Sequence, residues 1–77
     1  MSAQQLIRLT YPSSLLRVPV INQLIKNFDV TVNILRAQID IQDGWIEIEL
    51  SGNMHVIEEA VQWLQQQGIR VEFLPER

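Results

Sequence analysis

The residue types that could support catalysis are few and widely spaced in this sequence. It contains one histidine, His55, and no cysteine, which excludes disulfides, thiolate zinc sites and cysteine-ligated iron–sulfur clusters. As a general base or metal ligand, His55 would need a carboxylate or a second ligand beside it, and Met54 and Val56 provide neither. We therefore predict that His55 is an ordinary exposed or half-buried residue, and that the chain has no catalytic residue, metal or cofactor.

Four carboxylates lie close together between Asp40 and Glu49. Glu47 and Glu49 share the outward side of a predicted strand, and Asp43 belongs to a predicted turn. Paired catalytic carboxylates also need a pocket, which a domain of 77 residues has little room to build. We interpret the four as a solvated surface. Trp45 and Trp63 could stack on a ligand or line an interface, and packing at the rim of the core explains them equally well.

The elements that must position these residues are organised around Val30 to Gly52. This stretch is rich in β-branched residues and predicts two strands joined by a type I′ turn at Asp43-Gly44. The alternation of apolar residues changes phase at Ile34-Leu35, which predicts a β-bulge, because a slip of one residue would otherwise turn every later side chain to the wrong face.

The remaining chain supplies two helices and two strands. Apolar residues at helical spacing follow Pro19, and a second helix begins after a cap at Ser51-Gly52-Asn53 and ends at Gly68. The predicted elements are a strand at Gln4–Thr10, a helix at Pro19–Asn27, the central hairpin, a helix up to Gly68 and a strand at Ile69–Leu74.

This order predicts an α+β fold of the ferredoxin-like βαββαβ type, formed by residues 1–77 as one domain. The sheet is expected to be antiparallel with strand order 4-1-3-2 and both helices on one face. Right-handed crossovers place the first and third strands in the centre, so the second and fourth strands are edges. An uncovered face and an apolar edge strand in so small a domain predict a homodimer.

Composition excludes several classes of function. The formal net charge of −3 and the scattered basic residues argue against nucleic-acid binding. The sequence shows no apolar run long enough to cross a membrane and no signal peptide at its start, so we expect no membrane insertion and a cytoplasmic location.

The segment Val32-Asn33-Ile34-Leu35, followed by Arg36-Ala37-Gln38, resembles the motif for which the NIL domain family is named. The resemblance runs through nearly the whole chain, including Glu49-Leu50-Ser51-Gly52, the Ala60–Leu64 helix segment and Gly68–Val71. Such domains are the C-terminal regulatory domains of the ATP-binding subunits of methionine importers, and others are fused to ferredoxin modules. The resemblance implies a free-standing, non-enzymatic regulatory domain that dimerises and that senses an amino acid such as methionine or acts in trans on a transport or sulfur-metabolism partner.

By the same resemblance, Asn33 matches an asparagine of the methionine site, Ile39 matches an apolar neighbour, and Ala37 lies between them. An amide can donate to a carboxylate and accept from an ammonium group, and apolar side chains suit a thioether. An Asn33 that only braces the bulge is an equally good explanation. For the whole chain, the alternative function is a structural protein-interaction module without a small ligand, and a small catalyst is the weakest alternative.

Overall fold

The computed structural model describes residues 2–75 and contains one four-stranded antiparallel sheet with two α-helices. The strand order is β2-β3-β1-β4, which confirms the predicted ferredoxin-like arrangement with β2 and β4 at the edges. A short 3₁₀ turn at Ser13–Leu15 leads from β1 towards α1. The elements are β1 (Ser2–Tyr11), α1 (Val20–Asn27), β2 (Val30–Ile39), β3 (Gly44–Asn53), α2 (Met54–Gln66) and β4 (Arg70–Phe73).

The core lies between the sheet and the two helices. Alternate residues of the central strands face it, and the residues of α2 that point to it recur at intervals of three and four, as expected for an amphipathic helix on a pleated sheet. Helix α1 packs against β2, whereas α2 packs against β3 and β4. The residues of this layer with at most 2% of their surface exposed are Ile7, Leu9, Val20, Leu24, Ile48, Leu50, Ile57, Ala60 and Leu64.

Both ends of α2 follow their sequence signals. The Asn53 side chain accepts a hydrogen bond of 2.9 Å from the His55 backbone N–H, which confirms the predicted N-cap. At the other end, Gly68 has φ of +98°, and the N–H of Ile69 reaches back to the Leu64 carbonyl at 3.2 Å. This left-handed closure suits glycine and directs Ile69 into the core.

The predicted bulge is confirmed in β2. Ile34 lies opposite Ile48, yet Arg36 is already opposite Glu47, so Leu35 is the extra residue. Because one extra residue restores the phase, residues on both sides of the bulge keep the alternation expected of the strand.

The predicted turn is wrong. A type I′ turn at Asp43-Gly44 would require positive φ at both residues, whereas the positive-φ residues of the described chain are Gly52 and Gly68. The connection is instead the four residues 40–43, closed by a 2.7 Å hydrogen bond from the Asp40 N–H to the Asp43 carbonyl.

Gly44 is the first residue of β3 and is buried. A Cβ atom there would lie 3.0 Å from Leu16 Cδ2, so this glycine permits close packing and not a turn. Ile41 lies in the connecting loop and is 92% exposed.

The remaining differences are small. Strand β1 is longer than the predicted Gln4–Thr10, α1 begins one residue after Pro19, and β4 is shorter than the predicted Ile69–Leu74. Ile25 belongs to the apolar stripe predicted for α1 but is about half exposed (48%), because α1 is short and only part of its apolar face meets the sheet.

Candidate functional site

The face of the sheet opposite the helices is uncovered, and its centre is an ion-paired cluster across three strands. Directly paired residues of neighbouring strands share a face. Arg8 of β1 and Arg36 of β2 both lie opposite Glu47 of β3. The two arginines therefore approach the same carboxylate from opposite sides.

Both oxygens of Glu47 are used. Arg36 Nε donates to Oε1 at 2.7 Å, whereas Arg8 donates to Oε2 from Nε at 2.9 Å and also from Nη2. The Glu47 side chain is only 9% exposed. Glu47 is therefore not part of a solvated surface, which corrects the sequence-based interpretation.

These contacts strongly favour the ionised form of Glu47. The hydrogen bond from Arg36, followed by that from Arg8, lowers the pKa of Glu47 from 4.5 to about 2. The same contact raises the pKa of Arg36. Trp45 completes the cluster, with the guanidinium carbons of Arg8 and Arg36 at 4.8 and 5.4 Å from its ring centroid. The cluster is thus charged at all ordinary pH values and held in place on both sides of β3.

Beside this cluster, the open face contains a depression of about 540 Å³. Its walls combine three leucines, two amides and charged side chains, together with Pro75. This volume falls within the range of about 300–1,000 Å³ that is typical of small-molecule sites. The lining side chains are Gln4, Gln5, Leu6, Leu35, Arg36, Glu47, Glu49 and Leu74.

Two charged groups at the depression keep unused binding capacity. Within residues 2–75, Arg36 uses only its Nε, so its terminal nitrogens make no hydrogen bond to another side chain. Glu49 forms no ion pair or side-chain hydrogen bond with any other residue of the same range. The depression therefore presents one cationic and one anionic group to a ligand.

The three residues predicted to bind a ligand lie on both faces of β2. Asn33 is opposite Glu49 and shares the open face, where Glu49 separates it from Leu6. Ala37 is opposite Ile46 and Ile39 is opposite Gly44, which puts them on the helix side of the sheet. Asn33 does not line the depression but lies beside Glu49, which does, whereas Ala37 and Ile39 lie on the other side of the sheet.

The sequence-based reasoning missed Arg8, Arg36 and the role of Glu47. The position of Arg36 directly after the bulge residue could have marked it as a candidate in the sequence. Its partner Glu47 could be identified only from the strand register. His55 is exposed in the first turn of α2, as predicted. Across residues 2–75 no three acidic or histidine side chains converge as a metal site would require.

The outer edge of β2 is unpaired and carries apolar side chains. Ile34 is 55% exposed and Ile39 is 64% exposed, and both point to the helix side, as their partners Ile48 and Gly44 indicate.

Among the described residues, neither helix has the length and apolar character needed to cross a membrane.

The topology and the uncovered sheet face define a ferredoxin-like α+β domain with one helix-covered face and one open face. Within that class, the family is established by sequence: the profile described as NIL domain matches residues 5–73. The chain belongs to the NIL domain family.

Known proteins with similar sequences come from two settings. The methionine import ATP-binding protein MetN of Aliivibrio fischeri is 33% identical over 73 residues, which are 90% of this chain and 21% of that protein. The L-aspartate semialdehyde sulfurtransferase iron-sulfur subunit of Methanocaldococcus jannaschii is 38% identical over 50 residues, 65% of this chain and 38% of that protein. The chain thus spans about a fifth of the importer subunit.

Among solved structures, the C-terminal domain of an ABC transporter ATP-binding protein from Enterococcus faecalis aligns with a TM-score of 0.82 and 21% sequence identity. The alignment covers 95% of this chain and 86% of that one. At this level of identity the likeness supports the fold.

Proposed function

We propose that this chain is a non-enzymatic regulatory domain that senses an amino acid such as methionine or acts in trans on a transport or sulfur-metabolism partner. The observation that carries the proposal is a depression with both charged and apolar walls on the open face of a NIL domain, next to Asn33. A methionine import protein and a sulfurtransferase subunit among its relatives support the choice of ligand and partner.

A non-enzymatic role agrees with the state of the ionisable groups. Glu47, the buried carboxylate of residues 2–75, is held ionised by two arginines and is therefore a poor proton donor or acceptor near neutral pH. A cytoplasmic location is part of the proposal, because a domain that regulates an ATP-binding subunit must share its compartment.

The ligand part of the proposal is tested by calorimetric titration with methionine. If Asn33 contacts the ligand, Asn33→Ala should weaken binding by about 1–3 kcal/mol, since a polar group of the ligand loses its partner. Gln38→Ala is the matched control, because Gln38 is also exposed on the open side of β2 but lies opposite Trp45, away from Glu49.

An Asn33 that only braces the bulge would give a different result. Asn33→Ala would then lower the free energy of unfolding and leave methionine affinity unchanged. Absence of binding to the native chain at millimolar methionine would end the proposal for that amino acid.

The proposal includes a homodimer, supported by the unpaired edge of β2 with Ile34 and Ile39 exposed on it. We expect Ile39→Lys to shift the protein to the monomer in analytical ultracentrifugation, because the charge would be buried at the interface. Ile25→Lys, at a comparably exposed position on α1, should leave the association unchanged. A native chain that is monomeric at high micromolar concentration would contradict the dimer.

Ala37 and Ile39 remain proposed ligand contacts only for a ligand at the outer edge of β2. At that edge a ligand could contact side chains from both faces of the strand. In a dimer formed along that edge, the partner subunit would close such a site.

The same apolar edge also favours the alternative function, a structural interaction module without a small ligand. That alternative predicts a dimer or partner complex that forms normally while no amino acid stabilises the chain against heat. A ligand present at 100 times its dissociation constant should instead add about 2.7 kcal/mol.

A further inference from the structure

The edge of the sheet opposite β2 is formed by the short strand β4. Directly after this strand, the N–H of Leu74 donates a 2.9 Å hydrogen bond to a carbonyl of β1, so the backbone groups of Glu72 also point to β1. Because backbone groups alternate along an antiparallel strand, those of Val71 and Phe73 point away from the sheet. Within residues 2–75, no strand pairs with this outer side of β4.

A narrow apolar groove lies beside the end of β4, on the helix side of the sheet. Phe73 is opposite Ile7 and therefore faces this side, where it is 60% exposed. Met54, at the start of α2, is 45% exposed, and the buried residues Ile57 and Val61 continue the apolar lining along the helix. The groove has a volume of about 240 Å³, below the range of about 300–1,000 Å³ that is typical of small-molecule sites. It therefore suits an inserted side chain better than a whole small ligand.

The charge at the groove is negative. Glu58 is the charged residue among those that line it, and the other polar lining groups are glutamine amides. Glu58 is exposed and forms no ion pair with any other residue of the range 2–75. Helix α2 carries a second glutamate, Glu59, and no lysine or arginine. An occupant of the groove is therefore favoured if it brings a positive charge.

We propose that the outer edge of β4 and this groove form a docking site for an extended segment of a partner protein, in which an apolar residue is followed or preceded, two positions away, by a lysine or arginine. The segment adds a strand to the sheet and pairs with the free backbone groups of Val71 and Phe73. Residues two positions apart share a face of a strand, so the apolar side chain enters the groove beside Met54 while the cation meets Glu58. This inference rests on the in-trans part of the proposed function and gives the chemistry of the partner.

The probe is a capped peptide of sequence Thr-Leu-Thr-Lys-Thr-Leu-Thr, whose leucines and lysine share one face. Two-dimensional NMR of the isotope-labelled native chain measures its affinity and its position. The peptide should shift the amide signals of Val71, Phe73 and the first turns of α2 and leave those of β2 unchanged. A peptide with glutamate in place of the lysine should bind at least about tenfold more weakly, because it brings like charges together.

The variant Glu58→Lys links this preference to one residue. It should weaken binding of the lysine peptide at least about tenfold and strengthen binding of the glutamate peptide. Glu59→Lys is the matched control, because it makes the same change in net charge at the next, equally exposed position of α2, outside the groove. It should leave both affinities nearly unchanged. Urea unfolding of each variant verifies that the fold is retained.

Strand pairing is tested on the peptide, without changing the protein. Methylating alternate backbone nitrogens removes the donors on one side of an extended segment. One of the two alternate patterns should abolish binding, and the other should leave it intact. Equal effects of both patterns would overturn strand addition at β4.

The remaining outcomes separate this inference from the proposed function. Absence of binding of the lysine peptide at millimolar concentration, shifts confined to β2, or equal losses in Glu58→Lys and Glu59→Lys would each overturn the docking site. Shifts of the β4 amides on concentrating the chain alone would overturn it as well, since a second copy would then occupy the edge. Methionine binding without peptide binding leaves the sensing function standing, whereas peptide binding without methionine binding supports the docking site and ends the sensing part.

Discussion

The two faces of the sheet are built in different ways. The helix-covered face is a continuous apolar layer in which Ile7, Leu9, Ile48 and Leu50 have no exposed surface. The open face instead has charged, amide and leucine side chains around Glu47, held by hydrogen bonds across three strands. The covered face therefore provides stability through the area it buries, whereas the open face depends on directional contacts and leaves binding groups available.

The bulge in β2 connects these two designs. Val32 and Ile34 before the bulge face the helix side, and so do Ala37 and Ile39 after it. Two residues separate Ile34 from Ala37, a spacing that would place them on opposite faces of a regular strand. The extra residue thus preserves the covered face on both sides of Leu35 while aiming Arg36 at Glu47. The bulge therefore places Arg36 on the open face while the apolar residues of β2 stay on the helix side.

The largest expected effect comes from cutting a side chain out of the covered face. Leu64→Ala should cost about 2–5 kcal/mol, because Leu64 is fully buried and its loss leaves a cavity. Leu35→Ala removes the same atoms from the open face, where the side chain is about half exposed, and should change stability by less than about 1 kcal/mol. Urea unfolding followed by circular dichroism measures the free energy of unfolding of both variants. Equal losses in the two would contradict the different contributions of the two sheet faces to stability.

The second prediction concerns acid. The arginines lower the pKa of Glu47 from 4.5 to about 2, so its contribution to stability is complete above pH 4.5 and is lost as the pH falls towards 2. Glu47→Gln should be less stable than the native chain at pH 7, and the difference should shrink steadily between pH 4.5 and 2. Unfolding midpoints in urea at several pH values provide the measurement.

Glu58→Gln on the exposed side of α2 is the control for that series, and we expect it to follow the native curve. A constant gap between the native chain and Glu47→Gln down to pH 2 would contradict the ion-paired role of Glu47.

The smallest effect is expected from deleting Leu35. The deletion removes the extra residue while every observed cross-strand pair between β2 and β3 can persist, so the chain should stay folded with a modest change in stability. Deleting Glu49 from the central strand β3, which has no extra residue, should by contrast disrupt pairing on both sides. Amide hydrogen exchange of β2 and β3 distinguishes the two results, and an unfolded Leu35 deletion would mean that the bulge itself is required.

Much of this molecule follows from the sequence because local patterns are enough to define it. The period-two alternation of β3, the capped helix between Asn53 and Gly68 and the phase change at Leu35 each specify an element without reference to the rest of the chain. The order of these elements, combined with right-handed crossovers, then leads to the strand order that is observed.

The turn and the ion-paired cluster required the tertiary structure. Asp43-Gly44 has the local chemistry of a tight turn, but Gly44 is the first residue of β3, and Leu16 packs where its side chain would be. Arg8 and Glu47 are 39 residues apart in the chain, and nothing near either one indicates that they will meet. Periodicity determines which side chains share a face of an element, whereas the register between strands decides which of them touch, and that register depends on how the whole domain packs.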